Sequence, residues 1–153
     1  MRIFVTASLF ALTLWAPSAR ASAQDAAGNP CTQTPVTTQL AFNLYEGRLS
    51  PESEALVDRL AAVLRACPDA HFELQVHTDT VRLTSFNRRA SQQVAVQIRD
   101  RLVQHGVAAA RLAPCGYGES TPLPNVRPSM RGNRNERLVL KRIDDAAAHR
   151  CPA

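Results

Sequence analysis

The tripeptide His77-Thr78-Asp79 closes a run of alternating residues, and Asn87 follows eight positions after the aspartate. Farther on stand Gly116-Tyr117-Gly118-Glu119 and then Asn135-Glu136-Arg137. An aspartate at a strand's end, just ahead of an amphipathic helical segment, sets a fixed anion beside unpaired helix amides. That pairing suits a zwitterionic ligand, whose ammonium meets the carboxylate while amide donors meet its anion. A plainer role exists for each residue. Asp79 can cap the loop and helix that follow it, and Asn87 can brace loop carbonyls.

Other chemistries are poorly served. No Gly-x-Ser-x-Gly elbow is present, and His77 reads as a hydrogen-bonding strand residue rather than a general base. Asp79 and Glu119 are the only acids in loops that could suit glycosidic cleavage, and 5% aromatic content is thin for a sugar groove. Gly116 and Gly118 precede no Gly-Lys pair, so they suit positive φ or close packing rather than phosphate binding. The cysteines, at 31, 67, 115 and 151, are spaced 36, 48 and 36 apart, which gives no compact metal pattern. No catalytic residue, metal or cofactor is expected.

The elements that must position these groups follow from patterning. Met1-Arg2, the apolar stretch Ile3 to Trp15 and Ala21-Ser22-Ala23 read as a signal peptide over 1–23. No later apolar run is long enough to span a bilayer, so the mature chain is expected to carry no transmembrane segment. Removing Arg2 and Arg20 lowers the formal charge of +5 by two. The remaining basic residues are scattered without an aromatic platform, which argues against nucleic acid. A loose arm (24–36) precedes a strand at Thr37 to Phe42. Ser50-Pro51-Glu52 starts a helix that Cys67-Pro68 ends. Phe72, Leu74 and Val76 alternate with Glu73, Gln75 and His77 as a half-buried strand. A second helix runs from Ser85 or Phe86 to His105 and closes at Gly106, followed by a strand from Leu112 to Gly116. A proline-rich connection with a helical turn leads to a strand at Arg137 to Ile143 and a short tail, 145–153. The expected fold class is α+β, in the order β-α-β-α-β-(short helix)-β, with a mixed four-stranded sheet and two helices on one face. In an exported chain the cysteines suggest two disulfides. Strand direction favours Cys31–Cys67 with Cys115–Cys151, and Cys31–Cys151 with Cys67–Cys115 is the next choice.

In order and spacing, Leu49-Ser50-Pro51-Glu52, His77-Thr78-Asp79, Phe86-Asn87, Ser91, Gly106-Val107, Gly116-Tyr117-Gly118-Glu119-Ser120 with Pro122, and Asn135 with Arg137 form a recognisable set. The segment from about Leu40 to Ile143, or 37–144 as a domain, resembles the OmpA-like (OmpA/MotB/Pal C-terminal) peptidoglycan-associating family. The resemblance implies a non-catalytic domain, periplasmic or peripheral to the outer membrane, that binds the diaminopimelate of the peptidoglycan stem peptide. It implies that Asp79 meets the ammonium, that Thr78 and Asn87 shape the loop, and that Arg137 lends support. In the family an arginine fifteen residues past the aspartate holds the ligand's carboxylate. Here that position is Val94, followed by the expected Ala95. Glu136 stands where the family usually has arginine, and Val76 replaces a glycine. Arg82, Arg88 and Arg89 are the candidates to compensate. The competing expectation is a degenerate domain that has lost wall binding and serves envelope protein partners.

Overall fold

The computed structural model describes Cys31 and residues 35–80, 82–124 and 135–152. The expected signal peptide, most of the arm and the 125–134 part of the proline-rich connection lie outside the described residues.

The first strand is shorter than its apolar run suggested. β1 covers Val36–Gln39, while Phe42–Asn43 (β2) pairs antiparallel with Arg48–Leu49 (β3) as a separate small hairpin. The turn between them is closed by Gly47, whose positive φ of 60° is one that side-chained residues rarely adopt. Helix α1 spans Pro51–Arg65, and the Ser50 hydroxyl accepts from the Ser53 amide at 3.2 Å, as its capping sequence predicts. Strand β4 (His71–His77), helix α2 (Thr84–Gln104), a 3-10 turn at Ala109–Arg111, β5 (Leu112–Gly118) and β6 (Arg137–Ile143) complete the fold. Among the described residues, no helix is long and apolar enough to cross a membrane.

The sheet order is β1-β6-β4-β5, with β4 and β5 parallel and β6 antiparallel to both β1 and β4. The mixed sheet and its two helices are those the alternating elements called for. Phe72, Leu74 and Val76 of β4, with Leu138 and Leu140 of β6, join Val57, Ala61 and Leu64 of α1 and Val94, Ala95, Ile98 and Leu102 of α2 in one core. Burying each such side chain stabilises by about 1.5–3 kcal/mol. Helix α2 also covers the edge of β5. Gln92 donates to the Pro114 carbonyl and accepts from the Gly116 amide, and the Ser91 hydroxyl accepts from the Gly118 amide. These bonds satisfy edge groups that would otherwise be open to a foreign strand. The approach is so close that a Cβ on Gly116 would lie 2.3 Å from the Gln92 backbone nitrogen.

Arg111, absent from the sequence reading, is buried and ties α1 to β4 through backbone carbonyls. Its Nε donates to Ala70 at 2.9 Å, and its Nη2 donates to Leu64 and Cys67. Both favoured disulfides are present, Cys31–Cys67 and Cys115–Cys151, because β1, β4 and β5 run the same way. The second disulfide pins the C-terminal tail across the sheet face away from the helices. This is why the polar side of β4 departs from the half-buried expectation: Glu73 is 1% exposed rather than facing solvent. Tyr117 Oη donates to Glu73 Oε1 at 2.7 Å, Gln75 Nε2 donates to Oε2 at 2.8 Å, and His149 Nε2 lies 3.2 Å from Oε1 without hydrogen-bond alignment. Burial works against the Glu73 charge, but these donors together hold its carboxyl below the usual range. Glu73, Cys115 and His149 each bring a ligand atom to this cluster, with Cys115 already committed to its disulfide.

Candidate functional site

Strand pairing assembles the site. His77 lies opposite Arg137 in the β4–β6 register, and continuing that register brings Thr78 opposite Glu136 and Asp79 opposite Asn135. The Asn135 backbone amide and its Nδ2 both donate to Asp79 Oδ1, at 3.2 and 2.8 Å. Asn135 Oδ1 in turn accepts from the Leu123 amide. The aspartate expected to meet an ammonium is thus enclosed: it is 2% exposed, because the segment entering β6 folds across it. Capping of α2 by Asp79 does not appear among the described residues either. Leu83 sits at the helix N-cap without a side-chain bond, and the Asp79 carboxylate instead accepts from Asn135. The sequence reading used Asn135 as a family marker and missed its contact with Asp79. The only available signal was its place at the start of the last strand.

Asn87 does brace the loop. Its Nδ2 donates to Glu119 Oε2 at 2.6 Å and to the Arg82 carbonyl at 3.2 Å, while Thr84 Oγ1 donates to Glu119 Oε1. Glu119, weighed in the sequence as an acid for sugar cleavage and as a family marker, is the post that holds the start of α2 against the end of β5. The Thr78 amide donates to the Gly118 carbonyl, and Gly118 has a φ of 54°. A side chain there would be strained and crowded against Arg88.

The cations are placed elsewhere. Arg82 stacks over the Tyr45 ring, 4.4 Å from its centroid, and donates to the Tyr45 hydroxyl. Arg88 reaches the Pro152 carbonyl of the tail. Arg89 lines a cavity with Leu44, Tyr45 and Phe86. Arg137 is 5% exposed and donates to the carbonyls of Asn135 and Thr121, at 3.1 and 2.8 Å. Its described bonds are to backbone, so it holds the chain around the site. Val94 is 0% exposed within the core, so its position offers a ligand no contact in this packing.

What collects at the junction of β4 and β6 is buried polarity that is incompletely paired. Thr78 Oγ1, Glu136 Oε2 and His77 Nε2 are buried without a hydrogen-bond partner, as is Asn87 Oδ1 nearby. Each such atom costs about 1–3 kcal/mol, so a group of them marks a place where folding stability has been given up. Burial, reinforced by the charge of Asp79, pushes the Glu136 carboxyl up to about 7, against a hydrogen bond from the Phe42 backbone. Burial and the Arg137 guanidinium hold His77 down to about 4, with Glu73 acting in the other direction. Two neighbouring acids beside an unpaired hydroxyl can accept a cation.

The model of the OmpA family matches residues 41–136. Outer membrane porin F of Pseudomonas aeruginosa is 32% identical over 102 residues, covering 65% of this chain and 29% of that protein. The peptidoglycan-binding protein ArfA of Mycobacterium tuberculosis is 33% identical over 103 residues, covering 66% of this chain and 32% of ArfA. The chain thus spans less than a third of the length of these relatives. Among solved structures, the peptidoglycan-associated lipoprotein of Burkholderia pseudomallei shares the fold with a TM-score of 0.59 at 22% identity, over 68% of this chain and 88% of that one.

Proposed function

The chain belongs to the OmpA family, and from that premise we propose that it associates with peptidoglycan by gripping the stem peptide at Asp79. The observation that carries this reading is a buried carboxylate, fixed at one oxygen by Asn135, beside the buried and unpaired Thr78 Oγ1 and Glu136 Oε2. Such a cluster is costly in a folded chain and is recovered when a cationic group supplies donors. The names of ArfA and of the peptidoglycan-associated lipoprotein support the same partner. In this role Asp79 meets the diaminopimelate ammonium, Thr78 adds an acceptor, Asn87 and Glu119 hold the loop, and Arg137 keeps Asn135 in place. The domain works without catalysis or cofactor, in the periplasm and peripheral to the outer membrane.

Co-sedimentation of the purified chain with peptidoglycan sacculi tests it. Losing a charged hydrogen-bond partner costs about 1.5–3 kcal/mol, so Asp79→Ala should weaken binding by roughly tenfold or more. A parent protein that sediments no better than a folded control, or an Asp79→Ala variant that binds equally well, refutes the reading. One observation favours a second reading, an envelope protein–protein module. Leu83 (79% exposed) and Tyr45 (67% exposed) stand beside Phe86 and Arg82, outside the core. That reading gains if the folded parent ignores sacculi.

A further inference from the structure

Strand pairing and the tail bring together four residues that lie far apart along the chain. Gln75 of β4 lies opposite Cys115 of β5, so Glu73, two residues before Gln75, projects from the same sheet face as that cysteine. Glu73 and Cys115 are 1% and 0% exposed. The tail lays His149 beside them, and Cys151, the disulfide partner of Cys115, follows two residues later. One ligand atom from each of Glu73, Cys115 and His149 lies within 4.8 Å of the other two. His149 Nε2 is buried without a hydrogen-bond partner, 3.2 Å from Glu73 Oε1. A metal ion would give that nitrogen the partner it lacks. Tyr117 and Gln75 already hold the carboxylate from its other sides, as the outer partners of a metal ligand do. His149 also lines a cavity of about 450 Å³ whose wall carries Asp144 and Asp145, so the imidazole borders solvent as well as the cluster.

In the oxidised protein the cluster has no thiolate to offer, because its two sulfurs are bonded to each other. Reduction releases them. Two thiolates, an imidazole and a carboxylate are donors that tetrahedral zinc accepts. Zinc holds such donors at about 2.0–2.3 Å, which sets them roughly 3.3–3.8 Å apart, so small side-chain rotations close the site. We propose that Glu73, Cys115, His149 and Cys151 form a zinc site when the Cys115–Cys151 bridge is reduced, so that disulfide and metal are alternative fastenings of the C-terminal tail. A dithiol reductant passes two electrons and two protons to the S–S bond and closes into its own disulfide. Each cysteine thiol then gives its proton to solvent as its thiolate binds the cation. Cys151 is exposed, which leaves the bridge open to thiolate attack. The site uses none of Asp79, Thr78 and Asn87, so it stands or falls apart from wall association.

Cobalt titration of the full chain, followed by absorption, tests the inference. One sample is reduced with a dithiol and freed of it anaerobically, and a second stays oxidised. The reduced chain should bind one cobalt ion, with sulfur-to-metal charge-transfer bands and the visible bands of a tetrahedral site, and zinc should displace it. The oxidised chain should bind at least about a hundredfold more weakly, since it offers no thiolate. Zinc should also raise the melting temperature of the reduced chain, read by circular dichroism. His149→Ala should weaken binding to the reduced chain by about tenfold or more. Cys31→Ser/Cys67→Ser, which removes the other pair of sulfurs, should bind cobalt as the parent does. Absence of sulfur-to-metal bands in the reduced parent overturns the inference. So does binding that is unchanged by His149→Ala, or that vanishes from a folded Cys31→Ser/Cys67→Ser protein. The comparison of oxidised and reduced parent uses one sequence, so it does not depend on any variant folding.

Discussion

Glu136 offers a test of site electrostatics that needs no ligand. Its carboxyl is 6% exposed and pushed up to about 7 from 4.5, chiefly by burial and then by Asp79. Between those two values the unfolded chain has released the proton while the folded chain keeps it. Stability from this residue is therefore complete below about pH 4.5 and is lost as pH rises through about 7. At 1.36 kcal/mol per pH unit, the total change is about 3 kcal/mol. His77 acts in the opposite sense. Held down to about 4, it contributes stability that is present above 6.5 and lost as pH falls. In the parent the two trends offset each other across much of the acidic range, so a single stability curve would hide both. The difference between parent and Glu136→Gln isolates the glutamate. Glutamine keeps the shape and an acceptor for the Phe42 amide but has no proton to lose. Urea unfolding of both proteins, disulfides intact, at steps from pH 4.5 to 8 should show the variant gaining about 3 kcal/mol relative to the parent. A difference that stays constant across that range would refute the reasoning, because the carboxyl would then be solvated or already paired.

Two further perturbations probe the frame that carries the site. Arg111→Met should lower unfolding stability by about 2–4 kcal/mol, since it removes the charged donor that ties three backbone carbonyls together, and differential scanning calorimetry would register the loss. Replacing Cys115 and Cys151 together by serine opens a bridge of sequence separation 36 and should cost about 3–4 kcal/mol in urea unfolding. Retention of full stability would mean that the tail's other contacts suffice.

Much of this protein was legible in its sequence, because the relevant signals are local. Ser50-Pro51-Glu52 announces a helix start through capping chemistry, and the 3.6-residue spacing of α2 announces its buried stripe. Strand direction, inferred from the helical crossovers, was enough to favour the two disulfides that form. The missing arginine at Val94 and the extra acid at Glu136 were visible only against the pattern of the family that the chain resembles. Tertiary structure decided what spacing cannot carry. Asn135 is 56 residues from Asp79, and only the antiparallel return of β6 places its amide on that carboxylate. Glu73 alternates like a solvent-facing residue, yet the tail held by Cys115–Cys151 buries it. Arg82 and Arg88 looked free to serve the site, and aromatic and tail contacts claimed them. Local patterning sets which elements form and which of their faces are apolar. Which charge meets which partner depends on long-range pairing, and so do the burial and protonation of the site.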